Sequence, residues 1–313
     1  MVVVDCQVHL HTRTYFEAHV ERVEPPWAER ANGGYVFRTA GGGRSPIPSS
    51  HYEIEAHLER CAAHGIDVVV STMGRFNVHH LPASRARELA MRLNEEQAEL
   101  GRSHPGRYYG LALLPMQDTR AAIETLDHAV RALGLRGVCI CSNVNGESIA
   151  TPDREPVYRR IGELGIPIFL HPTALGAGVD SAIAALDLVL SGVLDRHPTL
   201  RVVDPCLGAA PADLAREIDG DQLRRLYADT ARLGAGALRT AVEVLGPEQL
   251  LYASHYPNRE PGAGLGLVHA ELRGEARDQV FGANAAALLG LAADSDFAAV
   301  RVQTSRASPR RPP

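Results

Sequence analysis

One stretch of the chain carries the pattern that predicts its fold: Gly165-Ile166-Pro167-Ile168-Phe169-Leu170-His171-Pro172-Thr173. Its apolar core does not alternate with polar residues, which is typical of a strand buried on both faces of a parallel sheet. The glycine before the run suits the left-handed cap at the end of a helix. The run then stops at a histidine. The stretch therefore predicts a helix end, a buried strand and a polar residue where the strand terminates.

The same pattern recurs along the chain and predicts eight strands in all. They are Val2–His11, Asp67–Thr72, Tyr108–Leu114, Arg136–Ser142, Ile166–His171, Leu200–Pro205, Leu226–Asp229 and Leu250–His255. Helical patterns lie near residues 52–64, 82–103, 118–133, 153–164, 180–196, 211–219, 234–245 and 268–282. Eight strands that are each followed by a helix predict a single (β/α)₈ barrel over residues 1–292. The alternative is an open doubly wound sheet, but no phosphate-binding glycine loop follows Val4 or Val70.

Two segments stand outside this repeat. Residues 24–50 are rich in glycine, proline and aromatic residues and separate the first strand from its helix. A long loop inside a compact domain is usually functional, so we expect this insertion to form a lid over the barrel mouth. Residues 293–313 end in a Pro- and Arg-rich sequence that cannot build a core. We expect them to form a flexible tail.

The composition excludes several classes of partner. The chain has 313 residues, a net charge of −5 and a pI near 6.3. These values give no electrostatic footprint for nucleic acid, and no apolar run is long enough to span a membrane. Five scattered cysteines do not form a disulfide framework. Together with an N-terminus that lacks a leader pattern, they predict a cytoplasmic protein.

Candidate chemical residues lie where the predicted strands end, because the active sites of barrels are built at the C-terminal ends of their strands. Strand one ends in Asp5-Cys6-Gln7-Val8-His9-Leu10-His11, whose alternate residues should share one face and include two imidazoles. His171 ends strand five and His255 ends strand eight. Histidines at three strand ends of one barrel predict a common site.

On these motifs the chain resembles the amidohydrolase-related family that includes 2-amino-3-carboxymuconate-6-semialdehyde decarboxylase and aromatic acid decarboxylases. The motifs run in order along nearly the whole chain: Asp5–His9, His104–Tyr108, Asn143–Gly146, Phe169–Thr173, Leu245–Pro247, Ser254–Pro257 and Asn284–Leu291. The resemblance implies a (β/α)₈ barrel, one divalent metal ion and non-oxidative decarboxylation or hydrolysis of a small organic molecule. It also implies that a homodimer can form.

The chain departs from the family pattern at the positions that would hold the metal. The two ligands of the first motif fall on Gln7 and His9, or on His9 and His11 if the alignment shifts by two residues. The strand-five ligand is present as His171. The strand-six histidine aligns with Pro205, and the strand-eight aspartate aligns with His255.

These departures leave three hypotheses open. His9, His11, His171 and His255 could form an all-nitrogen site for zinc or another divalent transition metal. Alternatively, no metal is bound and His9, His171 and His255 perform acid–base chemistry on a carboxylated or amide-bearing substrate. The third hypothesis is a binding protein without turnover.

Substrate binding is predicted from residues that follow the strands. Arg13 and Arg75 follow strands one and two, where each guanidinium could clamp a carboxylate through two hydrogen bonds. His11 is the third predicted substrate-binding residue.

Overall fold

A computed structural model of the chain describes residues 1–20, 22–38, 42–74, 77–173, 177–205, 218–291 and 294–306. Its strands are β1 Val4–Val8, β2 Trp27–Ala31, β3 Gly34–Arg38, β4 Arg44–Pro48, β5 Val68–Ser71, β6 Tyr108–Gly110, β7 Ala112–Leu113, β8 Val138–Cys141, β9 Asn143–Val144, β10 Glu147–Ser148, β11 Ile168–His171, β12 Val202–Asp204, β13 Leu226–Asp229 and β14 Leu250–Leu251. Each of the eight predicted barrel strands is present, and the third is divided into β6 and β7.

The barrel strands are parallel and neighbour one another in chain order. One sheet has the order β1-β5-β6, and another has the order β7-β8-β11-β12-β13-β14. Leu111 joins the two parts, because its amide donates to the Ser71 carbonyl at 3.0 Å. At the other edge, the Cys6 amide donates to the carbonyl of Tyr252, just after β14, at 2.9 Å. The expected (β/α)₈ architecture is confirmed.

Helices occupy the spaces between the strands. They are Arg13–Val20, Ile54–Ala63, Ala83–Ser103, Thr119–Asp127, Glu155–Leu164, Ala177–Leu190, Val193–Arg196, Gly220–Leu223, Ala235–Leu245, Gly262–Glu271, Gly274–Asp278, Asn284–Leu288 and Ser295–Arg306. Short π-helical turns follow two of them at His128–Ala132 and Gln279–Ala283. Most of the helix predicted at 211–219 lies outside the described residues. No described helix is long and apolar enough to cross a membrane.

Side chains alternate between two buried layers. Val70, Cys139 and Phe169 belong to a cluster with neighbours from other strands. Residues one position away, such as Ile168 and Leu170, pack into a second cluster together with helix residues. This alternation fixes which strand residues face the barrel interior and which face the helices.

The insertion over residues 24–50 forms an antiparallel sheet in the order β2-β3-β4. A helix, Arg13–Val20, precedes it, so the insertion does not follow strand one directly as the sequence suggested. Ala28, Phe37 and Ile47 pack with Phe16 of that helix and with Met73, which follows β5. The insertion therefore packs on residues that follow the C-terminal ends of β1 and β5. Whether it closes over the mouth as a lid stays a prediction.

The segment after residue 293 differs from the expected loose tail. It contains the helix Ser295–Arg306, and Phe297 is buried in a cluster with Leu289 and other residues. Asp294 forms an ion pair of 2.9 Å with Arg136. One aromatic residue and one ion pair therefore anchor a segment whose composition suggested disorder. Residues 307–313 lie outside the described residues, and the domain boundary at 292 stays a prediction.

Candidate functional site

Three histidines from three strand ends meet at the C-terminal side of the barrel. The ring centroid of His9 lies 5.0 Å from that of His171 and 5.1 Å from that of His255. All three side chains are buried. The sequence placed these histidines at the ends of strands one, five and eight, and the barrel brings their imidazoles into edge-to-face contact.

Each imidazole has one nitrogen held by a neighbour. His9 Nδ1 shares a hydrogen bond of 3.0 Å with the Thr72 hydroxyl. His171 Nδ1 donates to the carbonyl of Pro172 at 2.8 Å. These bonds fix the orientation of both rings and therefore the direction in which the second nitrogen of each points.

His255 is held by a buried carboxylate at the end of the preceding barrel strand. Its Nε2 lies 2.8 Å from Oδ2 of Asp229, which ends β13. The other carboxylate oxygen of Asp229 accepts from the Ala231 amide at 3.0 Å. His255 itself has a φ of +59°, a left-handed conformation that residues other than glycine adopt rarely. The pair resembles the histidine–carboxylate arrangements in which the acid fixes the tautomer and stabilises the protonated ring.

The central imidazole is neutral over the physiological pH range. Burial lowers the pKa of His9 well below its ordinary value, and the neighbouring His171 and His255 lower that pKa further. A neutral imidazole offers one donor and one acceptor. His9 is therefore suited to binding and orienting a polar group.

Gly74 brings the backbone against two of the imidazoles. Its φ is +58°, and a Cβ at this position would lie 3.1 Å from His9 Nδ1 and 3.3 Å from His171 Nε2. Both distances are tighter than ordinary van der Waals contact. The site therefore depends on the absence of a side chain at position 74.

The other predicted site residues that the structure describes make contacts outside the three-histidine ring contact. The ring of His11 stacks on His51, with the centroids 6.0 Å apart. Arg13 is exposed, pairs with Glu53 and lies over the Tyr52 ring at 4.6 Å. Arg75 lies outside the described residues. Among the described residues predicted to contact substrate or metal, His9, His171 and His255 have rings in contact. His11 lies close enough to His9 to lower the pKa of that imidazole.

Strand one does not alternate as the sequence suggested. The ladder pairs Asp5 with Val69 and Val8 with Ser71, so Cys6 and Gln7 together stand opposite Val70. This β-bulge breaks the period of two, and the expectation that residues 5, 7, 9 and 11 share one face is wrong. Asp5 has a structural contact instead, because its Oδ1 accepts from the Ser254 amide at 3.0 Å.

The donors at the strand ends do not fit a divalent metal centre. Among the described residues, no group of three His, Cys, Asp or Glu side chains could hold a metal ion. The strand-one position holds the amide of Gln7, which is a poor zinc ligand, and Asp229 is bound to His255. The strand-six position holds Pro205, which has no donor atom.

Sequence reasoning missed Asp229 and Gly74. Asp229 ends the predicted seventh strand in the same way as the histidines end theirs, so the rule of polar strand ends could have found it. Gly74 gave no such signal, because its role depends on how closely two distant histidines approach it.

Comparison with known proteins identifies a matching family model and related decarboxylases. The family model Amidohydro_2, described as amidohydrolase, matches residues 4–291. The chain is 24% identical over 286 residues to 2-amino-3-carboxymuconate-6-semialdehyde decarboxylase of Dictyostelium discoideum. That match covers 78% of this chain and 79% of the relative.

Solved structures share the fold at lower identity. The apo form of Metarhizium anisopliae IDCase gives a TM-score of 0.83 at 19% identity, covering 94% of this chain and 98% of that one. A dihydroxybenzoic acid decarboxylase from Polaromonas sp. JS666, with bound manganese and the inhibitor 2-nitroresorcinol, gives 0.78 at 19% identity. That match covers 95% of this chain and 99% of the other.

Proposed function

Because the chain belongs to the amidohydrolase family, we propose that it is a decarboxylase-type lyase acting on a small carboxylated ring compound. The observation that carries the proposal is the buried meeting of His9, His171 and His255, with His255 paired to Asp229. The decarboxylases among its relatives support this reaction class rather than amide hydrolysis.

The reaction requires a proton donor and no oxidant. Protonated His255 donates a proton to the ring carbon that bears the carboxylate. The bond from that carbon to the carboxylate then breaks, its electron pair returns to the ring, and carbon dioxide leaves. Asp229 stabilises the His255 imidazolium before the transfer. Afterwards, His255 takes up a proton from solvent, which restores the imidazolium. General acid catalysis of this kind contributes about 10²–10⁴-fold in rate.

The neutral imidazoles supply orientation. His9 and His171 each keep one ring nitrogen fixed by the protein, which presents the other ring nitrogen in a defined direction. Burial of the cluster excludes water from the reacting carbon, so that hydrogen bonds to the substrate gain strength. His9 and His171 therefore act by binding the substrate, a role that requires no net charge on His9.

The direct experiment measures carbon dioxide release from a panel of hydroxylated aromatic and heteroaromatic carboxylic acids. We expect release from at least one of them by the wild-type protein, and loss of at least 10²-fold in His171→Ala with an unchanged folded spectrum. Full turnover in His171→Ala would refute the proposed site. Binding of ring acids without any release would instead favour a binding protein.

Two further parts of the proposal concern the protein's surroundings. The cysteines Cys6, Cys61, Cys139 and Cys141 are free and buried, which supports a reducing compartment such as the cytoplasm. A homodimer is also proposed from the family resemblance. Light scattering of the purified protein measures its mass in solution.

A further inference from the structure

The side chain of Gln7 is buried with its polar atoms unsatisfied. It has 0% exposed surface. Neither Nε2 nor Oε1 has a hydrogen-bond partner among the residues that the structure describes. Burying an amide in this way costs about 1–3 kcal/mol. A position optimised for packing would hold an apolar residue there.

The fold places the backbone of Gln7 beside two of the three histidines. Gln7 lies two residues before His9, and its carbonyl accepts from the His255 amide at 3.0 Å. The bulge sets Cys6 and Gln7 together against Val70. Cys6 and Val70 belong to the inward-facing cluster, and both residues of a bulge oppose one partner residue. Gln7 therefore stands, together with Cys6, on the inward-facing side of β1.

A carboxamide binds in a way that the histidines cannot. It presents two donor hydrogens and an acceptor oxygen on one planar group, whereas carboxylate is an acceptor only. Its natural complement is a ligand that places an acceptor and a donor on adjacent atoms. A ring acid with a hydroxyl or N–H group next to its carboxylate has this arrangement.

We propose that the Gln7 carboxamide reads the substrate: Nε2 donates to an oxygen of the carboxylate, and Oε1 accepts from a hydroxyl or N–H on the adjacent ring atom. A ring acid with a hydroxyl or N–H group next to its carboxylate would then satisfy both polar atoms of the amide. This inference rests on the proposed function for the presence of the carboxylate. The unsatisfied Gln7 amide lowers the stability of the free protein. The residue is retained because a bound ligand supplies the missing hydrogen bonds.

The first test compares the stability of two glutamine variants without ligand. Gln7→Met removes an unsatisfied amide at nearly constant volume, so we expect a higher unfolding midpoint in urea. Gln97→Met is the matched control, because Gln97 is equally buried but accepts from the Tyr108 hydroxyl and donates to the Leu10 carbonyl at 3.4 Å. We expect the control to be less stable than wild type. A destabilised or unfolded Gln7→Met protein would overturn the inference.

The second test uses calorimetry with 2-hydroxybenzoate and 2-methoxybenzoate as probes. Methylation removes the donor that Oε1 would accept. Wild type should bind 2-hydroxybenzoate at least 10-fold more tightly, and Gln7→Met should lose this preference. An equal preference in both proteins, or no binding of 2-hydroxybenzoate by wild type, would overturn the inference.

The two proposals can fail separately. If carbon dioxide release is found but the preference does not depend on Gln7, only the role of Gln7 is refuted. If the preference depends on Gln7 but no ring acid loses carbon dioxide, the proposed reaction is refuted and the recognition by Gln7 stands.

Discussion

At the scale of single residues, the pair of His255 and Asp229 distinguishes this site from a cluster of imidazoles. A neutral carboxamide at position 229 would keep the shape but lose the charge that stabilises a protonated ring. The carboxylate also has a structural bond to the Ala231 amide, which the amide oxygen of asparagine can preserve. The two roles of Asp229 can therefore be separated by one substitution.

Asp229→Asn should lower kcat by about 10²-fold or more, with little change in KM, because Asp229 acts through His255 rather than on the substrate. Asp204→Asn is the matched control. Asp204 is equally buried at the neighbouring strand end, but its Oδ1 accepts from the Ser181 hydroxyl at 3.0 Å. Steady-state kinetics of both variants check this prediction. Equal losses of kcat would show that the effect is general strain.

The donor set also predicts how activity responds to metal removal. Since the described residues do not assemble three suitable donors, turnover should survive dialysis against a chelator. Carbon dioxide release is measured before and after dialysis, and metal content is measured by mass spectrometry. Activity that disappears on dialysis and returns with Mn²⁺ or Zn²⁺ would instead support the all-imidazole metal site of His9, His11, His171 and His255.

At the scale of secondary-structure elements, the turn after β5 limits the space within the histidine cluster. Gly74→Ala adds a methyl group 3.1–3.3 Å from nitrogens of His9 and His171. We expect turnover to fall by about 10²-fold, since displacement of catalytic groups by an ångström has effects of this size. The measurement is kcat/KM together with the thermal midpoint.

Gly165→Ala separates this steric effect from backbone strain. Gly165 has a φ of +67°, close to the +58° of Gly74, but an added Cβ meets nothing within 4 Å. Both substitutions should cost about 1–2 kcal/mol of stability, because alanine resists the left-handed region. Only Gly74→Ala should lose turnover. A similar loss in both variants would contradict the proposed packing around the site.

At the scale of the whole molecule, buried neutral histidines tie folding to pH. Burial lowers the pKa of four histidines from the ordinary 6.5: His19, His57 and His79 to about 4 and His80 to about 3. The unfolded chain therefore binds more protons than the folded protein below pH 6.5. Stability is fully present above that pH and falls as the pH drops towards about 4. Each group contributes up to about 1.4 kcal/mol per pH unit.

Asp5 acts in the opposite direction. Burial raises its pKa from 3.8 to about 7. Its stabilising contribution is thus complete below pH 3.8 and is lost as the pH rises through about 7. One such group does not offset four histidines between pH 6.5 and 5.

The free energy of unfolding in urea should therefore be lower at pH 5 than at pH 7 by about 2 kcal/mol or more. His80→Gln should narrow that difference, since glutamine cannot take up the proton. An unfolding free energy that is independent of pH over this range would contradict the prediction.

The sequence by itself determined the eight strands, their order and the polar residues that end them. These features are local: apolar runs of strand length and the residues that terminate them can be read along the chain. His9, His171 and His255 were found in this way, and so was the family resemblance.

Only the tertiary structure decided which of these residues meet. The bulge in β1 depends on pairing with β5, and it moved Asp5 off the face that the sequence assigned to residues 5, 7, 9 and 11. The contact between Asp229 and His255 joins the ends of two strands. The close approach of Gly74 to two imidazoles depends on the positions of three strand ends. Phe297 is buried by residues distant in sequence, although its own segment reads as disordered. The physical reason is common to all of them: register and packing are set by partners far along the chain, which local patterns do not encode.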